Sequence, residues 1–144
     1  MNKLLGFILP VLILTSCTNK TNTSETSEDE EINMTLSIDN QELDVNWEDN
    51  DSVNAIKEIL PLTINMHQYG GFEQTGPIGS SIRRNDIQMD VVPGDIVLYQ
   101  GNQISVLYNP SAWSYTKLGH IEMSQDALKD LLEKESVTFI LMTK

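Results

Sequence analysis

From Ile32 onward, hydrophobic and polar positions alternate along the chain. Ile32, Met34, Leu36 and Ile38 are spaced by Asn33, Thr35 and Ser37, the period-two pattern of a half-buried strand. Asp39-Asn40-Gln41 reads as a turn, and Leu43, Val45 and Trp47 alternate again. The first two strands are therefore expected to form a hairpin. Glu48 to Ser52 breaks the pattern, and Asp51 or Ser52 is placed to cap a helix running to about Leu60. Val53, Ile56 and Leu60 share one face of that helix, and Pro61 ends it. Leu62, Ile64 and Met66 predict a third strand. Tyr69-Gly70-Gly71-Phe72 is a glycine turn between two aromatics, and Glu73 to Gly76 reads as a fourth strand. Pro77 to Asp90 carries little periodicity and reads as a long loop, with a short strand or turn around Ile82.

The densest β signal lies between Pro93 and Ile121. Asp95 to Tyr99 and Ile104 to Tyr108 flank Gln100-Gly101-Asn102-Gln103, and Trp113 to Tyr115 and Leu118 to Ile121 follow a turn at Asn109-Pro110-Ser111. This is a meander pattern. Ser124 is placed to cap a second helix, with Leu128, Leu131 and Leu132 on its apolar face, and Val137 to Met142 forms an apolar closing strand. The count is about seven or eight strands and two helices. Because full closure removes exposed edges, the expected fold is mainly β: a closed barrel with the two helices at its ends.

The N-terminal stretch has a different logic. Met1-Asn2-Lys3 is a short basic start, and Leu4 to Leu14 is an apolar run broken only by Gly6 and Pro10. It is too short to span a bilayer comfortably, so it reads as a signal peptide over residues 1–16. The run ends in Leu14-Thr15-Ser16-Cys17, which resembles the bacterial lipobox. That resemblance implies cleavage before Cys17, lipid on Cys17, and a domain held at a membrane of the bacterial cell envelope, outside the cytoplasm. Each buried methylene contributes about 0.8 kcal/mol, so two or more chains anchor stably. Thr18 to Glu31 contains no apolar residue and cannot offset its ordering entropy by burial. Residues 17–31 therefore read as lipidated cysteine plus disordered tether, with a reach of roughly 20 Å. Residues 32–144 read as the folded domain.

Charge and cysteine content narrow the partners. The 144 residues carry a formal net charge of −12, which leaves no basic patch for nucleic acid. Cys17 is the sole cysteine, and His67 and His120 stand far apart, so neither a disulfide within the chain nor a zinc spacing is available. The spacing gives no reason to propose a metal or cofactor, and no Ser-His-Asp order, P-loop or nucleotide fingerprint is present.

Several short motifs occur in order. Asn54-Ala55 opens the first helix and Leu60-Pro61-Leu62-Thr63 follows it. Tyr69-Gly70-Gly71 with Glu73 comes next, then Pro93-Gly94-Asp95-Ile96 with Tyr99, then Leu107-Tyr108 and Leu118-Gly119-His120-Ile121. In this the segment from about residue 33 to 144 resembles the small bacterial cyclophilin-like domain. The resemblance implies an eight-stranded cyclophilin-type barrel. Three positions depart from the family pattern: Gln74 stands where lysine is common, His120 where arginine is common, and Leu107 where phenylalanine is usual. True cyclophilins isomerise prolyl bonds with an arginine beside a proline pocket. Their Phe-His-Arg and Gly-Ser-Gln-Phe-Phe segments are missing here, so no catalytic residue is assigned.

The resemblance and the aromatic positions together nominate a binding pocket for a peptide or small molecule. Its candidate residues are Tyr69, Phe72, Arg83, Arg84, Tyr99, Trp113, Tyr115 and His120. Each has a plainer alternative. Trp113 plugs the barrel as readily as it lines a pocket. Tyr69 and Phe72 pack at a barrel mouth. Arg83 and Arg84 form surface ion pairs, and His120 is a polar edge residue. The function expected is a membrane-anchored, non-catalytic binding module. The alternative is a prolyl isomerase acting on exported proteins, which an arginine beside Phe72 or Trp113 would favour.

Overall fold

The computed structural model describes residues 33–144. The expected signal peptide, Cys17, the tether and the first strand position, Ile32, lie outside the described residues.

Ten strands and two helices follow in chain order: β1 Met34–Ile38, β2 Gln41–Leu43, β3 Val45–Trp47, α1 Asp51–Glu58, β4 Leu62–Tyr69, β5 Glu73–Pro77, β6 Ile87–Val91, β7 Asp95–Tyr99, β8 Gln103–Leu107, β9 Ser111–Ile121, α2 Gln125–Leu132 and β10 Ser136–Thr143. Neighbouring strands run β2-β1-β10-β4-β5-β8-β7-β9-β3, and β6 pairs with β9 off this path. The sheet curls into a nearly closed barrel. The two ends of the path, β2 and β3, are one stretch of chain interrupted only at Asp44. Leu43 sits opposite Leu36 on β1, whereas Val45 sits opposite Ile121 on β9. One short segment thus changes partners at a single residue and bridges the two ends.

The expected hairpin between the first strand and Leu43 to Trp47 forms only in its first part: β2 pairs with β1, but Val45 to Trp47 pairs with β9. Two other differences change the strand count in opposite directions, and with the split at Asp44 the total is ten. The segment read as a long loop contains β6 at its end, which pairs with β9 over five register positions, while Ile82 itself is not in a strand. Trp113 and Leu118, read as two runs, belong to one eleven-residue strand. The N-cap of α1 is Asn50 rather than Asp51 or Ser52. Its Oδ1 accepts from the Val53 amide at 2.9 Å while its Nδ2 donates to the Lys117 carbonyl at 2.9 Å. Asn50 wins because it also ties the helix to β9. Ser124 caps α2 as expected, accepting from the Ala127 amide.

The main core fills the barrel. Met34, Leu36 and Ile38 of β1 meet Ile64 and Met66 of β4, Ile96 and Leu98 of β7, Ile104 and Val106 of β8, and Phe139 and Leu141 of β10. Val53 and Ile56 of α1 and Leu128 and Leu132 of α2 seal it. A second apolar cluster lies on the other face of the sheet. Val97 and Leu107 alternate with the core residues of β7 and β8, so the pleat points them outward. They are buried there with Val91 of β6 and Tyr115 of β9, with Phe72, Met89 and Tyr99 packed alongside. The β6–β9 arm thus covers part of the outer wall, which explains why β7 and β8 are buried on both faces.

Candidate functional site

The outer cluster carries a cavity. Tyr69, Phe72, Glu73, Tyr99, Ser111, Ala112, Trp113 and Tyr115 line a recess of about 250 Å³. Three of the chain's four tyrosines, Tyr69, Tyr99 and Tyr115, are among them. Local geometry sets their positions. The β4–β5 turn passes through Gly70 at φ +62° and Gly71 at φ +71°, a region open to glycine. A Cβ on Gly70 would collide with the ring of Phe72. The glycine therefore lets Phe72 fold back over the turn, where its ring meets Tyr69 edge-on at 6.0 Å and 83°. On the facing side Tyr99 and Tyr115 meet at 6.2 Å and 65°. Both are the geometries favoured by ring quadrupoles. Trp113 and Tyr69 are 57% and 63% exposed, so their rings form an accessible rim.

Glu73 is the one acidic group in this lining. It opens β5, in register with Tyr69 on β4 and Leu107 on β8, and is only 7% exposed. Its Oε2 is buried without a hydrogen-bond partner. Burial pushes its carboxyl up to about 7, against a smaller opposing influence of the Ser105 hydroxyl. That hydroxyl is shared, since it donates to Thr75 Oγ1 at 2.8 Å, and burial prevails. The Tyr115 phenol is likewise pushed up, first by burial, then by the neighbouring Glu73 carboxylate and by Tyr99, with Ser111 opposing.

Five of the eight residues nominated from sequence therefore share this cavity: Tyr69, Phe72, Tyr99, Trp113 and Tyr115. The recess lies against the outer barrel wall rather than at a barrel mouth, because β5, β7 and β8 turn alternate residues away from the core. Arg83 and Arg84 are elsewhere. They border a wider recess of about 480 Å³ with Asn50, Ile87 and Lys117, and their guanidinium groups face Asp51 at 3.7 Å and Asp86 at 3.5 Å. His120 is also apart from the aromatics. Its Nδ1 lies 2.8 Å from Oδ1 of Asp95, which Lys117 Nζ approaches at 3.3 Å.

Sequence reasoning placed Glu73 only as a strand start and a motif residue, and did not nominate Ser111 or Ala112. A signal for Glu73 was available: a carboxylate opening a strand directly after a glycine turn flanked by two aromatics.

A family model described as the cyclophilin-like family matches residues 36–140. The chain belongs to the cyclophilin-like family. Within solved structures, the structure of McbB in complex with tryptophan shares the fold at a TM-score of 0.58 and 13% sequence identity, covering 78% of this chain and 45% of McbB. The chain thus spans less than half the length of McbB. Among curated proteins, none matches. Among the described residues of this cyclophilin-like chain, no group of three or more His, Cys, Asp or Glu side chains is placed to hold a metal. No helix among them is long and apolar enough to cross a membrane.

Proposed function

We propose that this cyclophilin-like protein is a non-catalytic binding module, held at a membrane of the cell envelope by lipid on Cys17. Its outer-wall cavity takes a small ligand or a single side chain of a peptide. The observation that carries this reading is the recess of about 250 Å³ in which five aromatic side chains surround one buried carboxyl. An apolar recess with a few convergent polar groups is the usual form of a small-ligand site. The volume suits a compact molecule rather than an extended chain.

An arginine beside Phe72 or Trp113 would favour the isomerase alternative. Neither Arg83 nor Arg84 lines the cavity that holds those rings, which supports the binding-module reading. A protease-coupled prolyl-isomerase assay, with Arg83→Ala and Arg84→Ala alongside, tests this directly. The expected rate equals that of buffer. Acceleration that disappears in either arginine variant would make the protein an enzyme. Anchoring has its own test: metabolic lipid labelling should be lost in Cys17→Ser, and label that persists would refute lipidation at this residue.

A further inference from the structure

We infer that the ligand of the outer-wall cavity is an organic cation, a protonated or quaternary amine on a compact apolar body, with its charge against Glu73 and its body among Tyr69, Tyr99 and Trp113. This deepens the binding-module reading and rests on it.

The first ground is the unpartnered acid. Buried polar atoms are hydrogen-bonded in nearly all proteins, and an orphan calls for an explanation. Oε2 of Glu73 is such an orphan in a residue that lines a recess. Its neighbours do not supply a counter-charge. The titratable groups that line the recess with it are phenols: Tyr69 from β4, Tyr99 from β7 and Tyr115 from β9. β8 contributes Ser105 and Leu107, which do not ionise in this range. On β6, Asp90 stands opposite the lining residue Ala112 and is exposed, adding negative rather than positive charge. Arg83 faces Asp51, Arg84 faces Asp86 and Lys117 faces Asp95, while His67, exposed on β4 opposite Thr75, and Lys57 of α1 are not among the residues that line the recess. The site holds a carboxyl whose cation must come from outside.

The second ground is the wall. Tyrosine and tryptophan present the negative face of the ring quadrupole, which attracts a cation within about 6 Å and favours tryptophan most. Three tyrosines, one tryptophan and Phe72 around one carboxyl form a cage matched to a cation in charge and in shape. An anion would meet Glu73 with like charge. A neutral apolar ligand would leave Oε2 unsatisfied. The net charge of −12 also raises the local concentration of cations.

A proton is exchanged on binding. With its carboxyl pushed up to about 7, Glu73 is largely protonated in the empty site at mildly acid pH. The ammonium ligand favours the carboxylate, so a proton leaves Glu73 for solvent as the ligand enters, and no covalent bond changes in the ligand. Affinity therefore rises with pH up to about 7 and then levels off.

The test uses the full chain, with phenethylammonium, benzyltrimethylammonium and the neutral 2-phenylethanol as probes, followed by calorimetry at about pH 6 and about pH 8. Both cations should bind at least about tenfold more tightly than the alcohol at the higher pH, phenethylammonium through a charge-assisted hydrogen bond to Glu73 and benzyltrimethylammonium, which has no N–H to donate, through its charge and the aromatic faces. At the lower pH, measurements in buffers of different ionisation enthalpy should show proton release. Glu73→Gln should remove the cation preference, bringing both cations to within about threefold of the alcohol measured on the same variant, and should abolish the proton release, and Trp113→Ala should weaken all three probes. Equal affinity for cation and alcohol, with Glu73→Gln silent, overturns the cation inference but retains the cavity as a binding site. Cation binding that survives both Glu73→Gln and Trp113→Ala places the site elsewhere and overturns it as well. Failure of all three probes to bind overturns the inference and, with it, the binding-module reading for this recess.

Discussion

The side-chain amide of Gln74 donates to the backbone carbonyl of Leu132 at 2.8 Å, and to that of Lys134 at 2.7 Å. Its neighbour Glu73 faces the outer cavity, so two successive residues of β5 serve opposite faces of the sheet. Helix α2 ends at Leu132, and the last carbonyls of a helix lack intrahelical partners. Gln74, fully buried, satisfies them from inside the barrel. A lysine at this position would bring an ammonium to the negative end of the helix dipole.

Gln74→Leu should lower stability by about 2–3 kcal/mol, because the buried Leu132 carbonyl and the part-buried Lys134 carbonyl lose a donor. Gln74→Lys should cost less than Gln74→Leu, since an ammonium can replace the donors and removes the unpartnered Oε1. Urea midpoints of the three proteins check the ranking. A lysine variant weaker than the leucine variant would show that the buried charge outweighs the capping.

Glu73 ties stability to pH. Its folded value of about 7 lies above the ordinary 4.5, so the folded chain keeps a proton that the unfolded chain has lost. Stability is unaffected by this residue below about pH 4.5, falls as pH rises toward 7, and is lower by on the order of 3 kcal/mol above that. Glu73→Gln should abolish this decline. The gap between variant and wild type, read from denaturation at a series of pH values, should widen in favour of the variant up to neutral pH. Parallel profiles would refute the assignment.

Gly119 marks where the closing segment crosses β9. A Cβ there would stand 2.9 Å from the Asn46 carbonyl oxygen and 3.1 Å from Trp47 and Val45 side-chain atoms. Gly119→Ala should destabilise by about 2–3 kcal/mol through overpacking. In a Trp113→Phe background, where Trp47 is the remaining indole, its emission should shift to the red as β3 lifts from β9. Unchanged emission and stability would show that β3 is not held this tightly.

Asp95 gathers three partners. Its Oδ2 accepts from the Val92 amide at 3.0 Å, and its Oδ1 faces His120 and Lys117. Because the carboxylate is only 3% exposed, Asp95→Ala should cost about 3 kcal/mol or more. Asp95→Asn, which keeps an acceptor for Val92, should cost less. His120→Arg should retain the pairing and stay within about 1 kcal/mol of wild type. Thermal melts of the three variants order these effects.

The local elements were legible from sequence because they rest on periodicity and caps. The alternation of Met34, Leu36 and Ile38, the leucine face of α2 and the glycine turn between Tyr69 and Phe72 are read within a few residues of chain. The ordered motifs pointed to the family, and the aromatic nominees converged on one cavity. Arg83, Arg84 and His120 did not join them, because nothing local tells a pocket residue from one that faces a neighbouring aspartate.

What the sequence determined by itself is most of the strands and both helices with their apolar faces, since a side chain's alternation reports burial whatever it packs against. It also carries the expected lipobox at Cys17, which needs no fold to be read. Tertiary structure decided which strands close the barrel, through the change of partner at Asp44, and that the β6–β9 arm covers the outer wall. It also decided the state of Glu73. A glutamate at a strand start is ordinarily solvated. Only the convergence of β4, β7, β8 and β9 removes its water and leaves one oxygen unpartnered. Desolvation depends on residues far apart in sequence, which no local pattern encodes.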